Sequence, residues 1–363
     1  MKLLFTSYVS TPEYNEPVEW LRRIEGFTGI LDALSEDHDV TSIERINYEG
    51  EYRQNGVRYI FVRQAAKTVR FPFRMHRLIK TIRPDVVFVN GFIFPLQIIQ
   101  LRMKLGKRPK IIVINQAEKP FDGIKGYIQK QADKCVDAHL FASAGFGEQW
   151  TRKKNISTQE KIHEILHGSS VFKPGNKEEA RKKLGITGSP IFLFVGRLDV
   201  NKDPLTVIKA FIEFLKCQPQ AELYMIYHTE DLLKNVDELI GTVKSIKLIG
   251  RVPHSELQDW YAASDFVVSG SHYEGGGIAI CEAMSCGCIP LLTNIISFRG
   301  MTGGNCGLFY EAGNEQELLK ILLQTRDMDR DKERTRVLEQ FERELSFAAI
   351  GKKINSLITS LGS

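Results

Sequence analysis

Short apolar, β-branched runs alternate with longer helix-patterned stretches along nearly the whole chain. In the first half, residues 3–7, 40–46, 57–62, 86–89, 111–114 and 140–142 read as strands, and residues 20–34, 94–104 and 123–134 as helices. The second half repeats the pattern, with strands at Ile191–Val195, residues 222–227, residues 246–249, Phe266–Ser269 and residues 289–292. Residues 204–216, 231–243, 255–263, Ile278–Ser285 and residues 315–325 separate them as helices. Strands this uniformly apolar have no face to offer water, so they demand a parallel sheet with helices on both sides.

That requirement predicts an α/β protein with two Rossmann-like domains facing a cleft. A chain of 363 residues is long enough to give each domain a sizeable core. The boundary is expected near residues 167–175, where Lys173-Pro174-Gly175 breaks regularity. The charged helix Lys177–Leu184 then introduces the second domain, and residues 330–361 read as terminal helices. The expected division is 1–170, 171–344 and a closing segment 345–363. Within residues 48–62, Gly50 and Asn55-Gly56 predict a turn or hairpin.

Composition excludes several classes. At 43% apolar and 26% charged, the chain is neither low-complexity nor disordered. No window approaches the ~18–20 uninterrupted apolar residues of a membrane span. Met1-Lys2-Leu3-Leu4-Phe5 is too short for a signal-peptide core and reads as the first strand, so a cytoplasmic location is expected. The six cysteines, Cys135, Cys217, Cys281, Cys286, Cys288 and Cys306, lie in apolar stretches without zinc-site spacing and read as buried reduced thiols.

The net charge of +5 is unevenly spread. Arg63, Lys67, Arg70, Arg74, Arg77, Lys80 and Arg83 fall in one acid-free stretch with His76, interleaved with Phe71, Phe73, Met75 and Ile79. Such a stretch can contact an anionic membrane surface peripherally, but a solvated helix face packed on a sheet explains it somewhat better. No nucleic-acid-binding motif accompanies it, so nucleic acid is not an expected partner.

Ligands of such sheets bind beyond the carboxyl ends of the strands. The most informative loop there runs SGSHYEGGGIAICEAMSCGCIP over residues 269–290. Gly275, Gly276 and Gly277 allow close backbone approach, and the helix opening at Ile278 offers unpaired N–H groups to an anion. Glu274 and Glu282 suit sugar hydroxyls better than phosphate. A second loop, Gly196-Arg197-Leu198-Asp199-x-x-Lys202-Asp203-Pro204, sets two cations straight after a strand, where they can neutralise a pyrophosphate.

The spacing Glu274-x7-Glu282, with Gly277 and the following Glu-Ala-Met-x-x-Gly, resembles the donor-site signature of retaining glycosyltransferase family 4, which has the GT-B fold. The Arg197/Lys202 loop matches that family's phosphate-binding pattern. The run IKLIGRVP, with Glu256, Leu257, Trp260, Tyr261, Ser264 and Asp265, looks like its base-binding strand and helix. The resemblance covers residues 186–319. It implies transfer of a hexose-type sugar from a UDP- or GDP-sugar to a glycan or lipid-linked acceptor, with retention, in surface polysaccharide or glycolipid assembly.

Carried over, the resemblance gives Arg197 and Lys202 the diphosphate and Glu274 the transferred sugar. Gly196 lies with the first pair, Gly275, Gly276, Gly277 and Ile278 hold the β-phosphate, Glu282 the ribose, and Gly250, Arg251 and Val252 the base. Arg197, Lys202 and Glu274 are the catalytic candidates. The resemblance implies no metal and no cofactor, and a C-terminal helix that crosses back to the first domain.

The first half matches in layout only. Ser10-Thr11-Pro12-Glu13-Tyr14-Asn15 stands where the family often has a Gly-Gly loop. Asn115-Gln116-Ala117-Glu118 stands where it often has a His, which makes Asn115, Gln116 and Glu118 the acceptor-side candidates. Tyr227-His228 replaces a Gly-x-Gly turn. A nucleotide-sugar epimerase, a phosphorylase and a non-catalytic nucleotide-sugar-binding protein on the same scaffold are the competing readings. The chain is short for a phosphorylase, and the intact donor residues disfavour a decayed binding protein.

Overall fold

The computed structural model describes residues 1–63, 70–116 and 118–362, so Lys67 and Ala117 lie outside the described residues. It divides into two compact units, Met1–Ser169 with Phe347–Ser363, and Ser170–Ser346.

In the first unit the strands are β1 (Lys2–Ser7), β2 (Asp39–Glu44), β3 (Gly50–Gln54), β4 (Val57–Phe61), β5 (Val86–Asn90), β6 (Lys110–Asn115), β7 (Ala138–Phe141) and β8 (Ile162–Glu164). They form one sheet in the order β3-β4-β2-β1-β5-β6-β7-β8. Every pairing is parallel except β3 with β4. That pair is the hairpin expected at Asn55-Gly56, whose φ values of 49° and 81° place both residues in the left-handed region the turn requires.

Successive residues of β1 explain why the strand is apolar throughout. Leu3 and Phe5 enter a cluster with Ile30, Leu31, Ile350 and Ile354, while Leu4 enters another with Met75, Ile79 and Ile98. Each face of the sheet therefore buries its own helices. The C-terminal helix Phe347–Gly362 belongs to the first of these clusters. It packs on the helix Glu25–Ser35, where a Cβ on Gly29 would stand 2.6 Å from the Phe347 ring.

The second unit holds β9 (Ile191–Val195), β10 (Glu222–Ile226), β11 (Ile246–Gly250), β12 (Phe266–Ser269), β13 (Ile289–Thr293) and β14 (Leu308–Tyr310), all parallel in the order β11-β10-β9-β12-β13-β14. Phe192 and Phe266 stack across β9 and β12 with centroids 4.9 Å apart. Asp265, just before β12, ties the chain entering this unit to the sheet. Its buried carboxylate accepts from Lys177 Nζ at 2.8 Å, Arg181 Nη2 at 2.7 Å and the backbone N–H of Ile191 at 2.8 Å.

Some elements differ from the sequence reading. The helix expected at 20–34 is two, Pro17–Arg23 and Glu25–Ser35, because Ile24 leaves helical geometry (φ −109°, ψ 22°). The short strands β8 and β14 and the helices Ala144–Arg152 and Ile296–Thr302 are not among the elements read from sequence. Cys281, Cys286, Cys288 and Cys306 are buried thiols as expected, but Cys135 is only half-buried and Cys217 is exposed. Cys217 lies just past the end of the helix Pro204–Leu215, where the chain turns into solvent.

The basic stretch forms the helix Phe73–Ile82, which buries Met75, His76 and Ile79. Arg74, Arg77 and Lys80 face solvent, as do Arg70, Phe71 and Phe73 on its approach, with the two phenyl rings stacked at 5.9 Å. Arg74 pairs with Glu49. Among the described residues no helix is long and apolar enough to cross a membrane.

Candidate functional site

In the second sheet the strand order reverses at β9, with β10 on one side and β12 on the other. The loops leaving the carboxyl ends of β9 and β12 lie at this switch point, where such sheets take ligands. These are the Arg197/Lys202 loop and the Glu274 loop.

The structure locks the two loops together. His272 N donates to Asn201 O at 2.8 Å, and Asn201 Nδ2 donates to Tyr273 O at 3.0 Å. His272 Nε2 lies 3.2 Å from Asp203 Oδ2. Gly270 makes the approach possible, since a Cβ there would stand 2.7 Å from Asp203 O and 2.9 Å from Lys202 O. Asp203 holds a left-handed conformation (φ 42°) and caps the next helix, accepting from Thr206 N at 3.2 Å and Thr206 Oγ1 at 2.7 Å. That helix begins at Pro204, whose fixed φ and missing N–H suit a first helical position.

Lys202 and Glu274 meet in this junction as an ion pair, each side chain about one-fifth exposed. An ammonium carries three N–H donors, so the pair leaves Lys202 with donors for a further anion. Ser271 Oγ reaches Glu274 Oε2 at 3.4 Å, and Thr293 Oγ1 donates to Ser271 O at 2.6 Å. Arg197 is half-exposed, its Nε 3.1 Å from Asp199 Oδ2. Gly196 packs at ordinary distance against Phe194 and the Lys202 stem.

The helix Ile278–Ser285 opens on Gly277, which is left-handed (φ 57°) and against which Met301 Sδ packs at 2.7 Å from an added Cβ. Only glycine meets both conditions without strain. No side chain caps this end, so its first N–H groups are available to an anionic ligand. Glu282, on the second turn, is buried. Its Oε1 lies 2.7 Å from His254 Nε2 and its Oε2 accepts from Tyr261 OH at 3.0 Å. Burial, and then the charge of Glu282, push the Tyr261 phenol up, which keeps it a donor. Gly250 ends β11 with φ 77° and its carbonyl accepts from Tyr227 N, while Arg251 is exposed and Val252 half-buried.

Sequence reading missed Gly270, Ser271, His254 and the role of Asp203. The Asp203-Pro204 pair carried a capping signal, but the packing that involves Gly270 depends on a segment 67 positions earlier and has no local signature. Among the described residues no group of His, Cys, Asp or Glu is arranged to hold a metal ion.

In the first unit the acceptor-side candidates separate. Asn115 is fully buried, its amide nitrogen engaged by Val113 O and Leu140 O at 3.4 and 3.3 Å and by His139 Nδ1 at 3.3 Å, while its Oδ1 has no partner among the described residues. Gln116 is exposed and donates to Asn90 Oδ1 at 3.0 Å. Glu118 lies beside Gly91, whose added Cβ would be 3.2 Å from Glu118 Oε1. Burial raises its carboxyl pKa against the lowering by the backbone N–H groups of Glu118, Gln116 and Phe92, and its Oε2 has no partner among the described residues.

Residues 176–340 match the family model described as Glycosyl transferases group 1. The chain is 28% identical to a D-inositol 3-phosphate glycosyltransferase of Corynebacterium glutamicum, over 56% of this chain and 56% of that protein. It is 25% identical to one of Streptosporangium roseum, over 42% of this chain and 38% of that protein. The matched regions thus span about half or less of the length of these curated relatives. The fold is similar to HepE of Anabaena solved in complex with UDP, with TM-score 0.73 and 15% identity over 99% of this chain and 100% of that one. It is also similar to a glycosyltransferase from Rickettsia africae, with TM-score 0.72 and 16% identity over 99% and 98%. Two parallel-sheet Rossmann-like units of the GT-B type are the fold, and it is within the second unit that residues 176–340 are similar to the glycosyl transferases group 1.

Proposed function

We propose that this chain is a hexosyltransferase that moves a sugar from a UDP- or GDP-sugar to an acceptor hydroxyl, with retention and without a metal ion or cofactor. The observation that carries the reading is the loop junction at the carboxyl ends of β9 and β12. There Lys202 meets Glu274 just before an uncapped helix N-terminus. The bond from the anomeric carbon to the diphosphate breaks, a bond to the acceptor oxygen forms, and the products are a glycoside, a nucleoside diphosphate and a proton. Charge grows on the departing diphosphate. Arg197, Lys202 and the N–H groups at Gly277 and Ile278 supply fixed positive potential for it. Glu274, with Gly275 and Gly276, takes the transferred sugar. Glu282, oriented by His254 and Tyr261, takes the ribose, and the backbone of Gly250, Arg251 and Val252 takes the base. Gln116 and Glu118 are the acceptor-side groups at the sheet edge of the first unit.

The relatives' names support transfer to a small polyol, and the HepE structures with UDP, and with UDP and glucose, support a UDP-sugar. The exposed Phe71, Phe73, Arg70, Arg74, Arg77 and Lys80 support peripheral contact with anionic membrane, and with it a role in surface polysaccharide or glycolipid assembly. The test is to incubate the protein with UDP-, GDP- and ADP-sugars and measure released diphosphate with and without glycan and lipid acceptors. Donor binding without turnover across the panel overturns the transferase reading in favour of a binding protein, and conversion of the free donor to another nucleotide sugar overturns it in favour of an epimerase. Co-sedimentation with anionic vesicles should fall when Arg70, Arg74, Arg77 and Lys80 are neutralised together. Unchanged sedimentation removes the membrane contact.

A further inference from the structure

Arg45 lies just past the end of β2, at the carboxyl edge of the first sheet, and is only 3% exposed. Its Nη1 donates to the carbonyl of Tyr8. Its Nε and Nη2 are buried and have no hydrogen-bond partner among the described residues, and it forms no ion pair there. Those two nitrogens share one edge of the guanidinium, and their parallel N–H bonds match two oxygens of a carboxylate or phosphate. Arg58 in the same sheet shows the match, with Nε donating to Glu51 Oε2 at 3.0 Å and Nη2 to Glu51 Oε1.

Among the described residues no carboxylate pairs with Arg45. The neighbouring Glu44 turns to the opposite face, where Ser42 and Trp20 Nε1 hold its carboxylate at 2.6 and 2.9 Å. The Tyr8 hydroxyl is 2.8 Å from His76 Nε2 and 3.4 Å from Gln97 O. Burial pushes that phenol up, and burial, then Lys104, pull His76 down to about 4, so both are neutral. Through Tyr8, Arg45 adjoins the first turns of the helices Phe73–Ile82 and Pro95–Leu105, neither of which has a side-chain cap. An uncompensated buried cation is costly, and a fold retains one where a ligand completes it. Val9, next to Tyr8, is 48% exposed, so this edge is at the surface.

We infer that Arg45, with Tyr8, forms a binding site for the oxyanion of a phosphate monoester or carboxylate on a small molecule, and that this group belongs to the acceptor. The binding site stands by itself. Only the word acceptor rests on the proposed transferase activity.

The test is calorimetric titration and thermal melting with glucose 6-phosphate, glucuronate and neutral glucose, plus vesicles of phosphatidylglycerol to distinguish a soluble ligand from a lipid headgroup. Wild type, Arg45→Met and Arg197→Ala are compared. At least one anionic probe should bind wild type and raise its melting temperature saturably, while glucose does not. Arg45→Met should bind it at least tenfold more weakly and, without ligand, melt no lower than wild type. Arg197→Ala should bind it as wild type does, which excludes the donor loop as its seat. Anion binding that survives in Arg45→Met, or that disappears in Arg197→Ala, overturns the site. So does the absence of anion binding in wild type, or an Arg45→Met that melts lower with binding intact, since a purely structural brace predicts that. Should Arg45→Met fail to fold, Arg45→Lys keeps the charge but loses the fork and should weaken binding by the same order. Arg45-dependent binding without sugar transfer would sink the transferase reading and leave the site standing.

Discussion

Gly270→Ala probes how closely the loops after β9 and β12 must approach. The added methyl would stand 2.7 Å from Asp203 O and 2.9 Å from Lys202 O, whereas ordinary contact begins near 3.4 Å. Both obstacles are backbone, so no side chain can swing aside, and the loops must part by roughly 0.5–0.7 Å. The hydrogen bonds between residues 201 and 272–273 and the Lys202–Glu274 pair resist that movement. Overpacking of this kind costs about 1–3 kcal/mol, which lowers the melting temperature by roughly 2–10 °C for a unit of this size. The displacement carries Lys202 and Glu274 away from a shared substrate, so kcat/KM should fall by about 10–100-fold. Gly196→Ala is the contrast, because its methyl meets only Phe194 and the Lys202 stem at 3.5–3.6 Å. Its melting temperature should be unchanged, and any loss of activity would report space the donor needs. Scanning calorimetry and initial rates on released diphosphate decide the matter. A Gly270→Ala variant with wild-type melting and kcat/KM within twofold would refute the reasoning.

Arg197→Ala should lower kcat by about 10²–10³-fold with little change in melting temperature, since the half-exposed side chain pairs, among the described residues, with Asp199. A rate within fivefold of wild type removes Arg197 from the charge-stabilising set. His76 is buried and its pKa lies near 4, below its unfolded value, so the unfolded chain binds the proton first as pH falls. Stability should be full above about pH 6.5 and decline by up to ~1.4 kcal/mol per pH unit down to about pH 4. His76→Phe should flatten that part of the urea-unfolding profile, and an unaltered slope would contradict the assignment. Asp265→Ala strips the carboxylate shared by Lys177, Arg181 and Ile191 N, and should cost roughly 3–5 kcal/mol by urea unfolding of the second unit. A cost under ~1 kcal/mol would mean that Lys177 and Arg181, with Arg330 at 3.7 Å, find other partners.

Much of the local geometry of the candidate site was legible in the sequence because its cues are local. Glycines at 275–277, a helix opening at Ile278, and Arg197 and Lys202 directly after a strand each announce themselves within a few residues. The neighbours of Glu282 were not legible as such, since His254 and Tyr261 reach it only when the helix Leu257–Ala263 packs beside Ile278–Ser285. Asn115, Gln116 and Glu118 looked equivalent as a run. The end of β6 separates them, with Asn115 the buried last residue of the strand and Gln116 and Glu118 in the loop beyond it.

The sequence by itself determined the α/β class, most of the strands and helices and the hairpin at Asn55-Gly56, because periodicity and turn chemistry act between near neighbours. Only the tertiary structure decided which loops touch, where a methyl would be intolerable, and which charges end without a counter-charge. Arg45 is one arginine among many in the sequence. Its character comes from Tyr8 and His76, 37 and 31 positions away in the chain, and from a burial that leaves Nε and Nη2 without a partner among the described residues.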